Sequence, residues 1–443
     1  FTKANPPAAG SGYLPITPCR LVDTRTTGGR FAPNAVRSYR VTGTGSAFAN
    51  QGGKTGGCGI PVGATAAELS VTAVDPTANG YFRAWPSDVG APNATFLNFA
   101  TRKSVTNTGA VTLASSGTSQ IRVSNHSSST HYVIDVQGYF VDRNDISYGS
   151  VFVPVTPCRV VNTRSAGGAF GAHEERSYQV AGNGSRFATQ GGKANGCGIP
   201  DGVDAVAASV SVVEPTGNGY FRAWPQGEGM PNATFLNYVR NQSVSNTGAV
   251  KLAPTGALDL RVRNAGPSAH YVIDVQGYYI DRDDKPDGAV YVGVTPCRVV
   301  DTRSRGGQFA SGTKRDYQVA GEGSTFANQG GKADGCGLPD GAAAVAASVT
   351  AVGPSANGYF RGWPSNVAEP GATFLNFAKD QSITNTGAIA LAPTGTRDLS
   401  TKNYGARTHY VIDVQGYYVV WDPPAFAGWG RPHGSAPPVL RSG

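Results

Sequence analysis

The sequence predicts an all-β protein: three tandem domains of β-sandwich or jelly-roll type, each with one disulfide. Three observations carry that expectation. The chain repeats itself at a fixed offset of 139 residues, apolar residues alternate with a period of two, and glycine and proline punctuate the alternating runs. The 443 residues include 60 Gly and 29 Pro, more than ordinary usage. Such residues supply the positive or fixed φ that tight turns need. A hydrophobic content of 40% argues for packed cores rather than disorder. At roughly 150 residues per domain, length alone suggests three domains.

The repeat is specific. Thr17-Pro18-Cys19-Arg20 returns at Thr156 and Thr295, and Gly57-Cys58-Gly59 returns around Cys197 and Cys336. Asn79-Gly80-Tyr81-Phe82-Arg83 returns at Asn218 and Asn357, Thr95-Phe96-Leu97-Asn98 at Thr234 and Thr373, and His131-Tyr132-Val133-Ile134-Asp135 at His270 and His409. Surface loops tolerate length changes cheaply, yet every loop keeps its length. Either the copies are recent, or they pack in register. The expected domains are 11–148, 149–286 and 287–421, flanked by an extension, 1–10, and a Pro/Gly-rich tail, 422–443, that carries Phe426 and Trp429. The links between copies are short, which predicts a compact array, stacked linearly or around a threefold axis.

Within copy 1, Ala67, Leu69, Val71 and Ala73 alternate with Glu68, Ser70 and Thr72, a strand pattern. Tyr81–Trp85, Thr95–Phe99, Ala110–Leu113, Ile121–Val123 and Tyr132–Phe140 read as further strands bounded by turn residues. The last has Val133, Ile134 and Val136 around one Asp and is expected to be buried on both faces. No helical stripe stands out. Eight or nine short strands per copy imply a sandwich, jelly roll or barrel.

Six cysteines can pair in fifteen ways. They fall two per copy, Cys19 and Cys58, Cys158 and Cys197, Cys297 and Cys336, so the repeat favours one bridge inside each copy. Such bridges persist in oxidising compartments, and the expected location is extracellular, secreted or at the cell surface. The chain opens on Phe1 and is read as having lost a signal peptide. No run approaches 18 apolar residues, so no membrane span is expected.

The ordered pieces from Pro18-Cys19-Arg20-Leu21-Val22-Asp23-Thr24-Arg25, through Gly80-Tyr81 and Trp85-Pro86, to Val133-Ile134-Asp135-Val136-Gln137-Gly138-Tyr139-Phe140 resemble a repeated β-domain of secreted bacterial cell-surface proteins. All pieces occur three times and cover nearly the whole chain. The resemblance implies an extracellular protein and carries no catalytic residues. Asn162 stands where Asp23 and Asp301 stand in the other copies, a departure from the pattern.

Candidate sites are few. His131 and Asp135, with His270 and Asp274 and His409 and Asp413, lie four residues apart on a strand, about 13 Å, too far for a local dyad. Metal-ligand spacing is absent, and neither metal nor cofactor is expected. A carboxylate inside an apolar strand requires a partner. Arg20, Arg25 and Arg83 are the candidates for Asp135, and Arg25, Arg164 and Arg303 are the expected arginines of structural ion pairs with Asp135, Asp274 and Asp413. Tyr81 with Trp85, Tyr220 with Trp224 and Tyr359 with Trp363 could form a glycan-binding platform or bury the tryptophan in the sandwich. The net charge of +8 is scattered. This argues against nucleic acid and leaves acidic polysaccharide or an anionic surface as partner. Two functions follow: a structural or adhesive surface protein, polymerising as filament, sheath or layer with the tail docking on a neighbour, or a multivalent carbohydrate-binding array. An enzyme is not expected.

Overall fold

The computed structural model describes residues 11–92, 94–127, 129–142, 150–254, 257–284, 288–393, 396–405 and 407–420. Copy 1 contributes β1 (Ser11–Asp23), β2 (Val36–Tyr39), β3 (Ala64–Val74), β4 (Gly80–Pro86), β5 (Leu97–Phe99), β6 (Val105–Thr112), β7 (Ile121–His126) and β8 (His131–Asp142). The set recurs as β9 (Ser150–Asn162), β10 (Glu175–Tyr178), β11 (Ala205–Val213), β12 (Gly219–Pro225), β13 (Leu236–Tyr238), β14 (Val244–Lys251), β15 (Leu260–Asn264) and β16 (His270–Asp281). Copy 3 supplies β17 (Ala289–Asp301), β18 (Lys314–Tyr317), β19 (Ala344–Val352), β20 (Gly358–Pro364), β21 (Leu375–Phe377), β22 (Ile383–Ala390), β23 (Leu399–Tyr404) and β24 (His409–Val420). Each copy is an antiparallel sandwich. In copy 1, β6-β3-β8-β1 faces β2-β7-β4-β5, and Leu69, Val71, Ile134 and Val136 meet Phe82, Ile121 and Val123 between the sheets.

The proline-rich start of β1 explains its irregular register. Pro15 and Pro18 cannot donate to the ladder, and the pairing with β8 slips between Pro15 and Cys19. Beyond the slip, Cys19 is bonded to Cys58. Cys158–Cys197 and Cys297–Cys336 repeat the bridge, so each copy holds its own. Three disulfides are consistent with an extracellular protein. Among the described residues no helix is long and apolar enough to cross a membrane.

The copies close on one another rather than stacking in a line. Ser11 of β1 pairs with Tyr291 of β17, Ser150 of β9 with Tyr13 of β1, and Ala289 of β17 with Phe152 of β9. These are equivalent positions taken cyclically, so the three large sheets fuse into one twelve-stranded sheet around a pseudo-threefold axis. Six rings complete the closure. Tyr13, Tyr279, Phe152, Tyr418, Tyr291 and Phe140 form an unbroken cycle with centroids 4.4–5.3 Å apart. Aromatic pairs at such spacing add attraction beyond the area they bury.

Candidate functional site: the junctions between copies

Each junction grows from strand register. Arg20 stands opposite Asp135 where β1 pairs with β8, and cross-strand neighbours of opposite charge attract. Arg20 Nε and Nη2 donate to Asp135 Oδ1 and Oδ2 at 2.9 and 3.2 Å. The same oxygen Oδ2 accepts the backbone N–H of Thr234, in copy 2, at 3.0 Å. Arg159 and Asp274 repeat the pair and take Thr373 of copy 3, while Arg298 and Asp413 take Thr95 of copy 1. Each buried carboxylate therefore ties its own sandwich together and latches the next one. Burial pushes the Asp135 carboxyl above its ordinary value, against the opposing pull of Arg20 and the Thr234 amide.

Arg25, Arg164 and Arg303 do not hold these aspartates. They lie past the end of the strand, in the turn, where Arg25 closes bidentately on Asp23 and Arg303 on Asp301. Arg164 meets Asn162, which offers only an amide oxygen, at 3.3 Å. Burial works against the charge on Asp23 and Asp301, but the arginine hydrogen bonds and charges outweigh it and hold both carboxyls below the usual range.

Nearer the axis, the repeated Asn-Thr-Gly-Ala segment forms a second ring. Asn107 Nδ2 donates to Thr386 Oγ1 at 2.6 Å, Asn246 to Thr108 at 2.7 Å and Asn385 to Thr247 at 2.7 Å. The amide N–H groups of Thr386, Thr108 and Thr247 return bonds to the same three asparagines. The next residue must be glycine, since a Cβ on Gly109 would sit 2.5 Å from the Thr386 methyl, and one on Gly248 as close to that of Thr108. Asn98, Asn237 and Asn376 add bonds to Thr384, Thr106 and Ser245 of neighbouring copies.

Two axial positions break the symmetry. Lys103 Nζ donates to Gln242, and Gln242 donates in turn to Gln381, three equivalent positions of which one is charged. Glu68 stands where copies 2 and 3 have Ala207 and Ala346. It is 6% exposed, and it accepts the Ala249 N–H at 3.3 Å. Burial raises its carboxyl to about 7.

The tryptophans are not a platform. Trp85, Trp224 and Trp363 are at most 2% exposed. The outer face of β4, with Tyr81, Arg83 and Trp85 in phase, packs toward β17 of copy 3, and β12 and β20 pack likewise on β1 and β9. Trp224 Nε1 donates to the Glu228 carbonyl of its own copy at 3.2 Å, while the neighbouring tyrosine and arginine reach the junction. Between copies 1 and 2 this leaves a cleft of about 280 Å³ containing Arg20, Arg25, Tyr220, Arg222, Asn232 and Asn237. The equivalent cleft between copies 3 and 1, about 220 Å³, contains Tyr81, Arg83, Arg298 and Arg303. Polar and aromatic groups converging in a concavity can bind small ligands.

His131 Nδ1 lies 3.3 Å from Thr24 Oγ1, and His270 and His409 sit on Thr163 and Thr302 alike. Among the described residues no three His, Cys, Asp or Glu side chains gather as a metal site. The tail, with Phe426 and Trp429, and residues 1–10 lie outside the described residues.

No protein-family model matches the chain, and no curated protein does. Among solved structures, one described as the triple jelly roll fold and turret assembly in an archaeal virus is similar at 9% identity and a TM-score of 0.13, over 80% of each chain. At that score the fold assignment rests on the strand pairing itself.

Proposed function

We propose that this is a non-catalytic structural or adhesive component of an extracellular surface, a rigid block with its threefold interface built into one chain. The observation that carries the reading is the closure itself. Sheet pairing, the aromatic cycle, the asparagine ring and the aspartate latches all spend chemistry-bearing side chains on holding copies together. The resemblance to repeated domains of secreted bacterial surface proteins supports the same reading, as do the disulfides.

Assembly into a filament, sheath or layer is the finer proposal. The outer edge strands β2, β10 and β18 are four residues long and carry Arg37, Glu175, Arg176, Lys314, Arg315 and Asp316. Short charged edges resist pairing with another sheet. Copies of the chain would therefore join through side chains or the tail, through a contact that does not close. Negative-stain microscopy and cell-wall fractionation of the native protein test this. Ordered surface-bound assemblies are expected; freely dispersed monomers with no surface association would overturn it.

A further inference from the structure

We infer that the cleft between copies 1 and 2 binds a carboxylate-bearing sugar residue of an acidic polysaccharide. The inference rests on the adhesive reading and names its ligand. Charge balance gives the first argument. Asp135 and Asp23 neutralise Arg20 and Arg25, which leaves Arg222 with no carboxylate partner among the described residues. Its Nη2 donates only to the neutral Asn232 side chain, at 3.3 Å, and its Nε is buried without a hydrogen-bond partner. A guanidinium with donors to spare is suited to two-point contact with a carboxylate. One uncompensated positive charge matches one acid group per sugar.

The aromatic partner gives the second argument. The Arg222 guanidinium lies 5.2 Å from the centre of the Tyr220 ring, so a flat apolar face and a cation share the cleft, as a sugar ring with a carboxylate requires. In the other copies this tyrosine is covered. Tyr81 stacks on His126 at 4.3 Å and Tyr359 on Tyr404 at 4.8 Å. Copy 2 has Ala265 at the corresponding position, with a methyl group in place of a ring. Arg361 is in addition committed to Glu369 at 3.0 Å. Of the three tyrosines, Tyr220 thus lacks a stacked ring, and Asn232 lines the same cleft: its carbonyl accepts from Arg20 and its side chain from Arg222.

Calorimetric titration of the full chain with oligouronate, with the same oligomer after reduction of its carboxyls, and with a sulfated oligosaccharide tests the site. Oligouronate should bind in a salt-sensitive manner, and the reduced oligomer should not. Arg222→Gln and Tyr220→Leu should each weaken binding at least tenfold with the melting temperature unchanged, and Arg222→Lys should restore part of it. Absence of binding, equal binding of the reduced oligomer, preference for sulfate, or indifference to Arg222→Gln would each overturn the assignment. Because the titration uses soluble protein, its failure is distinct from failure to associate with a cell surface.

Discussion

Replacing Glu68 by Gln should remove most of a pH dependence in stability that one buried carboxyl imposes on the whole block. Glu68 faces Tyr13, Tyr279, Tyr291 and Tyr418, whose hydroxyls are pushed upward by burial first and by its charge in addition, and no cation lies among the groups acting on it. Its midpoint moves from 4.5 to about 7. The folded state therefore binds the proton more tightly than the unfolded chain, and stability is full below 4.5 and lost as pH rises through 7. At 1.36 kcal/mol per unit the loss is ~3 kcal/mol above pH 8. With an unfolding entropy of roughly 2 cal/mol/K per residue over this chain, that is about 4 °C of melting temperature. Glutamine keeps the shape and the bond from Ala249. Its new amide donors can shift absolute stability in either direction, but not its slope with pH. Thermal melts of both proteins from pH 4.5 to 8.5 give the difference directly. The wild type should lose about 4 °C relative to Glu68→Gln across that range; a constant difference would refute the argument.

Four further outcomes follow from the same structure. Asp259 and Asp398 accept the backbone amides of Val180 and Ala181 and of Val319 and Ala320, where copy 1 uses Gln120; burial raises both carboxyls to about 6. Asp259→Gln should raise stability above pH 7 by roughly 2–3 kcal/mol and leave it unchanged near pH 4, read by denaturant titration. Asp23 and Asp301, held low by arginine, act with the opposite sign and lose their contribution as pH falls below 3.8, so the stability maximum of the wild type should lie in mildly acidic solution. Asp135→Ala strands Arg20 and releases Thr234, and should cost about 3–5 kcal/mol in the same titration; an unchanged melting temperature would remove the latch from the account. Gly248→Val drives a side chain into Thr108 and should cost about 3 kcal/mol or more, whereas the same change at Gly29, where added atoms meet nothing, should cost only its backbone strain.

Much of the fold was legible because the repeat, the cysteines and the alternating apolar residues act locally. The polar residues misled more. Glu68, Ser70 and Thr72 alternate as in a strand with one wet face, yet all three are buried, because that face turns inward toward the other copies. For the same reason β6 starts at Val105, five residues before the apolar run suggests: Thr106, Asn107 and Thr108 bond across the axis. The threefold recurrence of Asn-Thr-Gly-Ala was the available signal for that ring. The partner of Asp135 depended on the register of β1 against β8, which the slip at its prolines sets and no local pattern reveals. Trp85 shares a face with Tyr81 and Arg83 as its spacing indicates, but its burial is a tertiary fact.

Small-angle scattering from residues 11–420 tests the closure most directly. A compact chain of this length has a radius of gyration of about 22 Å, and the closed arrangement should give that value with a single-peaked distance distribution. A radius of roughly 30 Å or more, as three such domains strung end to end would give, would contradict it.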